Sequence, residues 1–115
     1  MITRISTPFS YSSAVVAGDS VYLGLHRGFG NSFTEQIHDT FVHLKKTLLQ
    51  VDVPLGNIVK VNVYLKYITD LPEMEQVFTE YFEKDKFPAR MTSTTEFIDS
   101  DCLMMIDGVA YKGLQ

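Results

Sequence analysis

The clearest periodic pattern in the chain is an alternation of apolar and polar residues near its middle. Over residues 57–66, lysine, asparagine and tyrosine alternate with four apolar residues: Val59, Val61, Val63 and Leu65. A period of two with β-branched side chains is typical of a strand that buries one face. We therefore predict a β-strand over 57–66 whose valine and leucine face lies in the core.

Apolar residues spaced three and four positions apart predict two helices. Ser32 and Glu35 have the spacing of a capping box, which favours a helix over about 33–50. Its apolar face comprises Ile37, Phe41, Leu44 and Leu48. A second helix is predicted to begin near Pro72, because proline is tolerated in a first helical turn. The predicted buried stripe of this helix comprises Met74, Val77, Phe78, Tyr81 and Phe82.

Short apolar or threonine-rich runs bounded by turn residues predict the remaining strands. Residues 12–17 and 20–26 flank Gly18-Asp19, an arrangement typical of a hairpin. Two further strands are predicted at 91–97 and 102–112, and a short additional strand at 2–5. The resulting order, ββ, α, β, α, ββ, indicates an α+β fold with a mainly antiparallel sheet and two helices packed on one face.

The opposite face of such a sheet is predicted to be semi-polar rather than highly charged. We place on it Tyr22, Tyr64, Thr92, Thr94, Met105 and Asp107. A surface that bears aromatic side chains and methionine favours a subunit interface over exposure to solvent. The sequence therefore favours association of this chain with copies of itself.

Length, charge and cysteine content narrow the class of protein. A chain of 115 residues without linkers or repeats predicts a single domain over 1–115. The net charge of -4, without a basic stripe, argues against nucleic acid as a partner. Cys102 is the only cysteine, which excludes an intrachain disulfide and favours a cytoplasmic setting. Neither a signal peptide nor a run of about 18 apolar residues is evident, so no membrane association is expected.

Phe87-Pro88-Ala89-Arg90 is the segment with the clearest chemical potential. Pro88 cannot continue the second helix, so the chain enters a new element near Arg90. A guanidinium held at the start of a strand suits two-point capture of a carboxylate. From the residues alone, an ordinary surface ion pair is the commoner use of such an arginine.

The sequence shows no pattern that predicts a metal or a cofactor. His26, His38 and His43 lack the spacing of a metal site, and we interpret each as a solvated or edge histidine. The glycines near Phe29 do not stand between a strand and a helix in the way that a phosphate-binding loop requires. Cys102 lies in an apolar context, which favours a buried and inert thiol.

Several short segments occur in an order and spacing that match one known family along nearly the whole chain. They are Tyr11 with Ala14–Asp19, Ile58–Leu65, Asp70-Leu71, Tyr81-Phe82 and Phe87-Pro88-Ala89-Arg90. Through them the chain resembles the RidA (YjgF) family of reactive-intermediate deaminases. The resemblance implies a chorismate-mutase-like fold and a homotrimer with clefts between adjacent subunits. It also implies hydrolysis of enamine or imine carboxylates, produced by pyridoxal-phosphate enzymes, to 2-oxo acids and ammonia.

The resemblance also implies roles for individual residues. Arg90 would bind the substrate carboxylate, and Tyr11 would either line the cleft or cap the hairpin. Thr92, where the family often has cysteine, would contact the substrate or hold the water through its backbone or hydroxyl. Leu25 replaces a glycine at which the backbone approaches the ligand, so we expect a cleft of different shape.

Departures from the family pattern leave the acid–base group open. Met105 stands where family deaminases commonly place a glutamate that orients the attacking water, and methionine cannot accept a proton. Asp107 lies two residues further on the same strand face, so it could position water, or it could be a surface or interface carboxylate. Glu75 replaces a common asparagine and is a further candidate for proton transfer. The absence of that glutamate at Met105 favours an alternative function, a non-catalytic sensor of carboxylate metabolites. The net negative charge of the chain disfavours a third function, that of a ribonuclease.

Overall fold

The computed structural model describes residues 1–113 and contains one six-stranded sheet with two helices on one of its faces. The strands are β1 (Ile2–Ser6), β2 (Ser12–Ala17), β3 (Ser20–His26), β4 (Ile58–Leu65), β5 (Ala89–Thr94) and β6 (Met104–Tyr111). The helices are α1 (Phe33–Leu49) and α2 (Leu71–Tyr81), and two short 3-10 turns, Leu55–Asn57 and Ile68–Asp70, flank β4. The predicted α+β class is confirmed, as are the hairpin and both helices.

The sheet has the strand order β1-β2-β3-β6-β4-β5. All neighbouring strands are antiparallel except β4 and β5, which run parallel and are connected through α2. The last strand, β6, lies between β3 and β4 and joins the two halves of the sheet. This insertion leaves β5 at an edge of the sheet, with Arg90 paired to Val61 of β4.

The hydrophobic core lies between the sheet and the two helices. Ser32 caps α1 by accepting a hydrogen bond from the backbone N–H of Glu35, and the predicted apolar face of this helix is fully buried. The Glu35 carboxylate accepts from the backbone N–H of Asn31 rather than from that of Ser32. On α2 the predicted stripe is also buried, except that Tyr81 is half-buried and stacks on the ring of Phe41.

The predicted core face of β4 is wrong at one valine. Val59 is 49% exposed, whereas Ile58 is 3% exposed. The register between β4 and β6 shifts between Ile58 and Lys60. A bulge inserts an additional residue into a strand, and here it turns Val59 outward. From Val61 onward the alternation follows the prediction.

The two C-terminal strands are shorter than predicted, and one of them is shifted. β5 spans Ala89–Thr94 instead of 91–97, and β6 spans Met104–Tyr111 instead of 102–112. β5 begins directly after Pro88, because Ala89 already pairs with Lys60 of the parallel strand β4. Arg90 is therefore the second paired residue of β5, and the hydrogen bonds to β4 fix its backbone.

We call the sheet face opposite the helices the open face. The prediction that Thr92 and Thr94 lie on this face is wrong. These residues pair with Val63 and Leu65, which are fully buried beneath the helices. Paired residues of neighbouring strands point to the same side of a sheet, so both threonines and Arg90 lie on the helix side. The prediction followed the alternation along the chain, but the register across strands decides which face each residue occupies.

His26 was interpreted as a solvated or edge histidine, and this interpretation is wrong. Its buried ring joins β3 to α1, with Nδ1 2.7 Å from the Gly24 carbonyl oxygen and Nε2 2.8 Å from the Thr47 hydroxyl. A carbonyl only accepts, so Nδ1 carries a proton. Burial lowers the pKa of His26, which favours the neutral ring, and in that form Nε2 accepts a hydrogen bond from the Thr47 hydroxyl.

Candidate functional site

Arg90 extends from the start of edge strand β5 along the helix side of the sheet. Its side chain is 27% exposed, and the guanidinium carbon lies 5.3 Å from the centre of the Phe78 ring on α2. The guanidinium lies over this ring within the range of a cation–π contact. A permanently charged group is thereby held at a sheet edge that solvent still reaches.

Two groups of the same chain contact this guanidinium. Nε donates a hydrogen bond to the Thr92 hydroxyl at 3.0 Å, which is possible because residues two apart share a strand face. Nη2 forms an ion pair with the Glu75 carboxylate of α2. Within residues 1–113, Nη1 has no hydrogen-bond partner in the structure. Thr92 and Glu75, both candidate site residues, are thus brought together with Arg90.

A second feature is a groove of about 780 Å³ on the open face of the sheet. It brings together three of the candidate residues, Tyr11, Leu25 and Met105. The remaining lining residues are Phe9, Tyr64, Thr95, Glu96, Phe97, Ile98 and Asp99. The rings of Phe9 and Tyr11 stack with their centres 6.1 Å apart, and both side chains are largely exposed. The groove is therefore mainly apolar and open to solvent.

Asp107 lies on the open face, two residues from Met105 along β6. Asn62 of β4 donates a side-chain hydrogen bond to one oxygen of the Asp107 carboxylate at 2.8 Å. The second oxygen has no hydrogen-bond partner within the part of the chain that the structure describes. The amide fixes the orientation of the carboxylate and leaves one oxygen available to water.

Arg90 and Asp107 do not meet within one chain. Arg90 pairs with Val61 on the helix side, whereas Asp107 pairs with Asn62 on the open side. The candidate residues consequently form two groups on opposite faces of the sheet. Arg90, Thr92 and Glu75 form the edge group, and the other four lie on the open face: Tyr11, Leu25, Met105 and Asp107.

Sequence reasoning did not identify Phe78 and Asn62 as parts of these groups. Phe78 was assigned to the core, where it does lie, but its ring also supports Arg90. Asn62 stands on the polar side of the β4 alternation, which was the one available signal. Its contact with Asp107 depends on the pairing of β4 with β6, which periodicity does not reveal.

The described residues offer no alternative centre of metal or thiol chemistry. No group of three histidine, cysteine, aspartate or glutamate side chains within residues 1–113 has a geometry suited to a metal ion. Cys102 is buried, and burial raises the pKa of its thiol, so the nucleophilic thiolate is disfavoured. Among the helices described, none has the length and apolar character needed to cross a bilayer.

Comparison with known sequences finds one family along nearly the whole chain. The family model described as Endoribonuclease L-PSP matches residues 1–112. A RutC family protein of Pyrococcus abyssi is 35% identical over 78 residues, which cover 68% of this chain and 61% of that protein. A protein of Dermatophagoides farinae named 2-iminobutanoate/2-iminopropanoate deaminase is 31% identical over 102 residues, covering 76% of this chain and 79% of that protein.

Comparison with solved structures gives the same architecture. A member of the YjgF protein family from Neisseria meningitidis superimposes with a TM-score of 0.93. The superposition covers 100% of this chain and 98% of that structure at 22% sequence identity. The fold is therefore shared at a level of sequence identity that by itself says nothing about activity.

Proposed function

Because the chain belongs to the Endoribonuclease L-PSP family, which includes the YjgF and RidA proteins, we propose that it hydrolyses 2-imino and 2-enamino carboxylates to 2-oxo acids and ammonia. The observation that carries this proposal is the partly exposed guanidinium of Arg90 at the start of edge strand β5. A flat, permanently charged fork suits the carboxylate that every such substrate carries. The name of the Dermatophagoides farinae relative supports this substrate class.

The reaction makes modest demands on a protein. Water forms a bond to the electrophilic imine carbon, and both of its protons pass in turn to the nitrogen. The C–N bond then breaks to release ammonia, and the oxygen of the water becomes the carbonyl oxygen of the 2-oxo acid. Holding the substrate and the water close together in a reactive orientation can supply much of the rate acceleration. In our proposal Arg90 anchors the carboxylate, and Thr92 binds the attacking water through its hydroxyl or backbone. Asp107 serves as the acceptor for a proton of that water.

We further propose that a second copy of the chain completes the site. In one chain the edge group and the open-face group lie on opposite sides of the sheet. The open face also exposes large apolar side chains, among them Tyr11, Tyr22 and Leu25, at 61%, 51% and 53% respectively. Association through this face would cover them and could place Arg90 of one subunit beside the groove of the next. A homotrimer, the assembly that the family resemblance implies, has such clefts.

The proposed function is tested by generating the imine in the assay. A pyridoxal-phosphate-dependent dehydratase acting on serine or threonine releases an unstable 2-imino acid, which semicarbazide traps as a semicarbazone. Adding the wild-type protein is expected to increase 2-oxo acid and ammonia release and to lower semicarbazone formation. An equal mass of serum albumin serves as the control. No acceleration with either amino acid would contradict the proposal.

Met105 favours a second candidate, a binding module that holds a carboxylate metabolite without turnover. No ionisable side chain occupies this position of the groove, where family deaminases commonly have glutamate. The binding module would bind 2-oxo acids through Arg90 but would not accelerate imine hydrolysis. The description of the family model also names ribonuclease activity, which the net charge of -4 disfavours. RNA cleavage that 2-oxo acids do not inhibit would instead support that activity.

Met105→Glu is expected to raise kcat for imine hydrolysis by about ten-fold, which is below the usual range of general acid–base effects. The new carboxylate would lie in the groove and could accept a proton from the attacking water. Kinetics in the semicarbazide assay measure the change. Met105→Gln is the matched control, because glutamine has the size and shape of glutamate but carries no charge and cannot take up the proton. Equal rates for the two variants would show that a carboxylate at this position does not contribute.

A further inference from the structure

Glu75 and Arg90 are brought together by the packing of α2 on the edge of the sheet. Glu75 and Phe78 are three residues apart and therefore lie on the same side of the helix. The ring of Phe78 faces the guanidinium of Arg90, which places the Glu75 carboxylate at Nη2. The ion pair thus follows from the backbone geometry of α2 and β5.

Two-point binding of a carboxylate by arginine always uses Nη2. A carboxylate binds either side-on, through Nε and Nη2, or end-on, through Nη1 and Nη2. Here Nη2 already pairs with Glu75, and Nε donates to the Thr92 hydroxyl. An incoming carboxylate therefore meets a like charge at the nitrogen it needs, and like charges repel.

We propose that Glu75 is an internal competitor of the substrate carboxylate for Arg90, so that it weakens the affinity of the site for simple 2-oxo and 2-imino carboxylates. This inference rests on the proposed role of Arg90 as the carboxylate anchor. Glu75 stays bound to Arg90 while the site is empty and must be displaced, or share Nη2, when a substrate binds. Residue 75 is therefore a specificity-determining position.

The exposure of the pair fits a contact that a ligand can displace. The Glu75 side chain is 54% exposed, and it forms no other ion pair or hydrogen bond within residues 1–113. Exposed ion pairs are weak, because water and salt screen both charges. Displacing Glu75 would thus reduce affinity several-fold without closing the site.

Equilibrium binding of 2-oxobutanoate, a stable 2-oxo carboxylate, tests this proposal. Calorimetric titration of the full chain is expected to give a Kd for Glu75→Gln that is about two- to five-fold lower than for the wild type, in line with the strength of exposed ion pairs. Glutamine keeps the length of the side chain and removes its charge. The double variant Glu75→Gln/Arg90→Ala is expected to lose this gain in affinity for 2-oxobutanoate.

Glu80→Gln provides the matched control for net charge. Glu80 is an exposed carboxylate on the same helix and forms no ion pair in the described part of the chain. Its substitution changes the charge of the protein by the same amount and is expected to leave the Kd at the wild-type value. An equal gain in Glu80→Gln would attribute the effect to net charge and would overturn the proposal.

Whether the Kd for 2-oxobutanoate falls or rises in Glu75→Gln decides whether Glu75 competes with the ligand. An unchanged or higher Kd, or no measurable binding, would overturn the proposal; a higher Kd would mean that Glu75 holds Arg90 in its binding position. Tighter binding of 2-oxobutanoate in a protein that does not accelerate imine hydrolysis would support the role of Glu75 and contradict the proposed deamination. If the wild type accelerates imine hydrolysis but Glu75→Gln does not bind 2-oxobutanoate more tightly, only the proposed role of Glu75 is contradicted.

Discussion

Arg90→Ala is expected to lower kcat/KM for imine hydrolysis by about 10- to 150-fold. The lost interaction is a charge-assisted hydrogen bond to the substrate carboxylate, worth roughly 1.5–3 kcal/mol. The side chain lies on an edge strand and is partly exposed, so its removal leaves the buried core in place. The loss should therefore appear in kinetics and in 2-oxobutanoate binding while the far-ultraviolet circular dichroism remains that of the wild type.

Arg90→Lys is the matched variant for this experiment. Lysine keeps the positive charge but loses the planar fork that can bind a carboxylate at two points. Its kcat/KM is expected to lie between the values of the wild type and of Arg90→Ala. If Arg90→Ala hydrolyses imines as fast as the wild type, the carboxylate is anchored elsewhere and the edge group is an ordinary structural ion pair.

Local patterns were sufficient to predict most of the secondary structure. The hairpin strands were predicted at 12–17 and 20–26, and both have these bounds in the structure. The helix predicted over 33–50 spans Phe33–Leu49. Each of these elements is determined by residues close together in the chain, through turn residues, a cap and a helical period. Such information is present in a single sequence.

Pairing between distant strands accounts for the residues whose sheet face was predicted wrongly. Val59 faces solvent because of a bulge opposite β6, and Thr92 lies on the helix side because it pairs with Val63. Neither partner strand is close in sequence to the residue that it orients. A shift of one residue in register moves a side chain to the opposite face, so alternation alone does not determine which face is buried.

The arrangement of the candidate site depends on the same long-range pairing. Leu25 and Met105 share the groove because β6 lies next to β3, where His26 pairs with Ile106. The order of residues along the chain does not show that the last strand is inserted there. The family resemblance identified Glu75 as a departure, but its ion pair with Arg90 became visible only once α2 was packed on the sheet.

Phe41→Ala is expected to lower the free energy of unfolding by about 3–5 kcal/mol, the usual cost of removing a fully buried phenylalanine ring. Phe41 is 1% exposed and joins the two helices. Its ring stacks on Tyr81 with centres 4.1 Å apart and meets Phe78 edge-on at 5.4 Å. Alanine would leave a cavity at this contact, which the surrounding rings can fill only in part.

Urea unfolding at one fixed chain concentration measures this loss, because the stability of an associating protein depends on concentration. Val42→Ala is the control, since Val42 is the next residue of α1 and is 50% exposed; its substitution is expected to change stability by less than about 0.5 kcal/mol. Phe78 contacts both Phe41 and Arg90, so we also expect Phe41→Ala to weaken 2-oxobutanoate binding. Loss of stability with unchanged binding would show that the edge group is positioned by β5 alone and does not depend on the packing of α2.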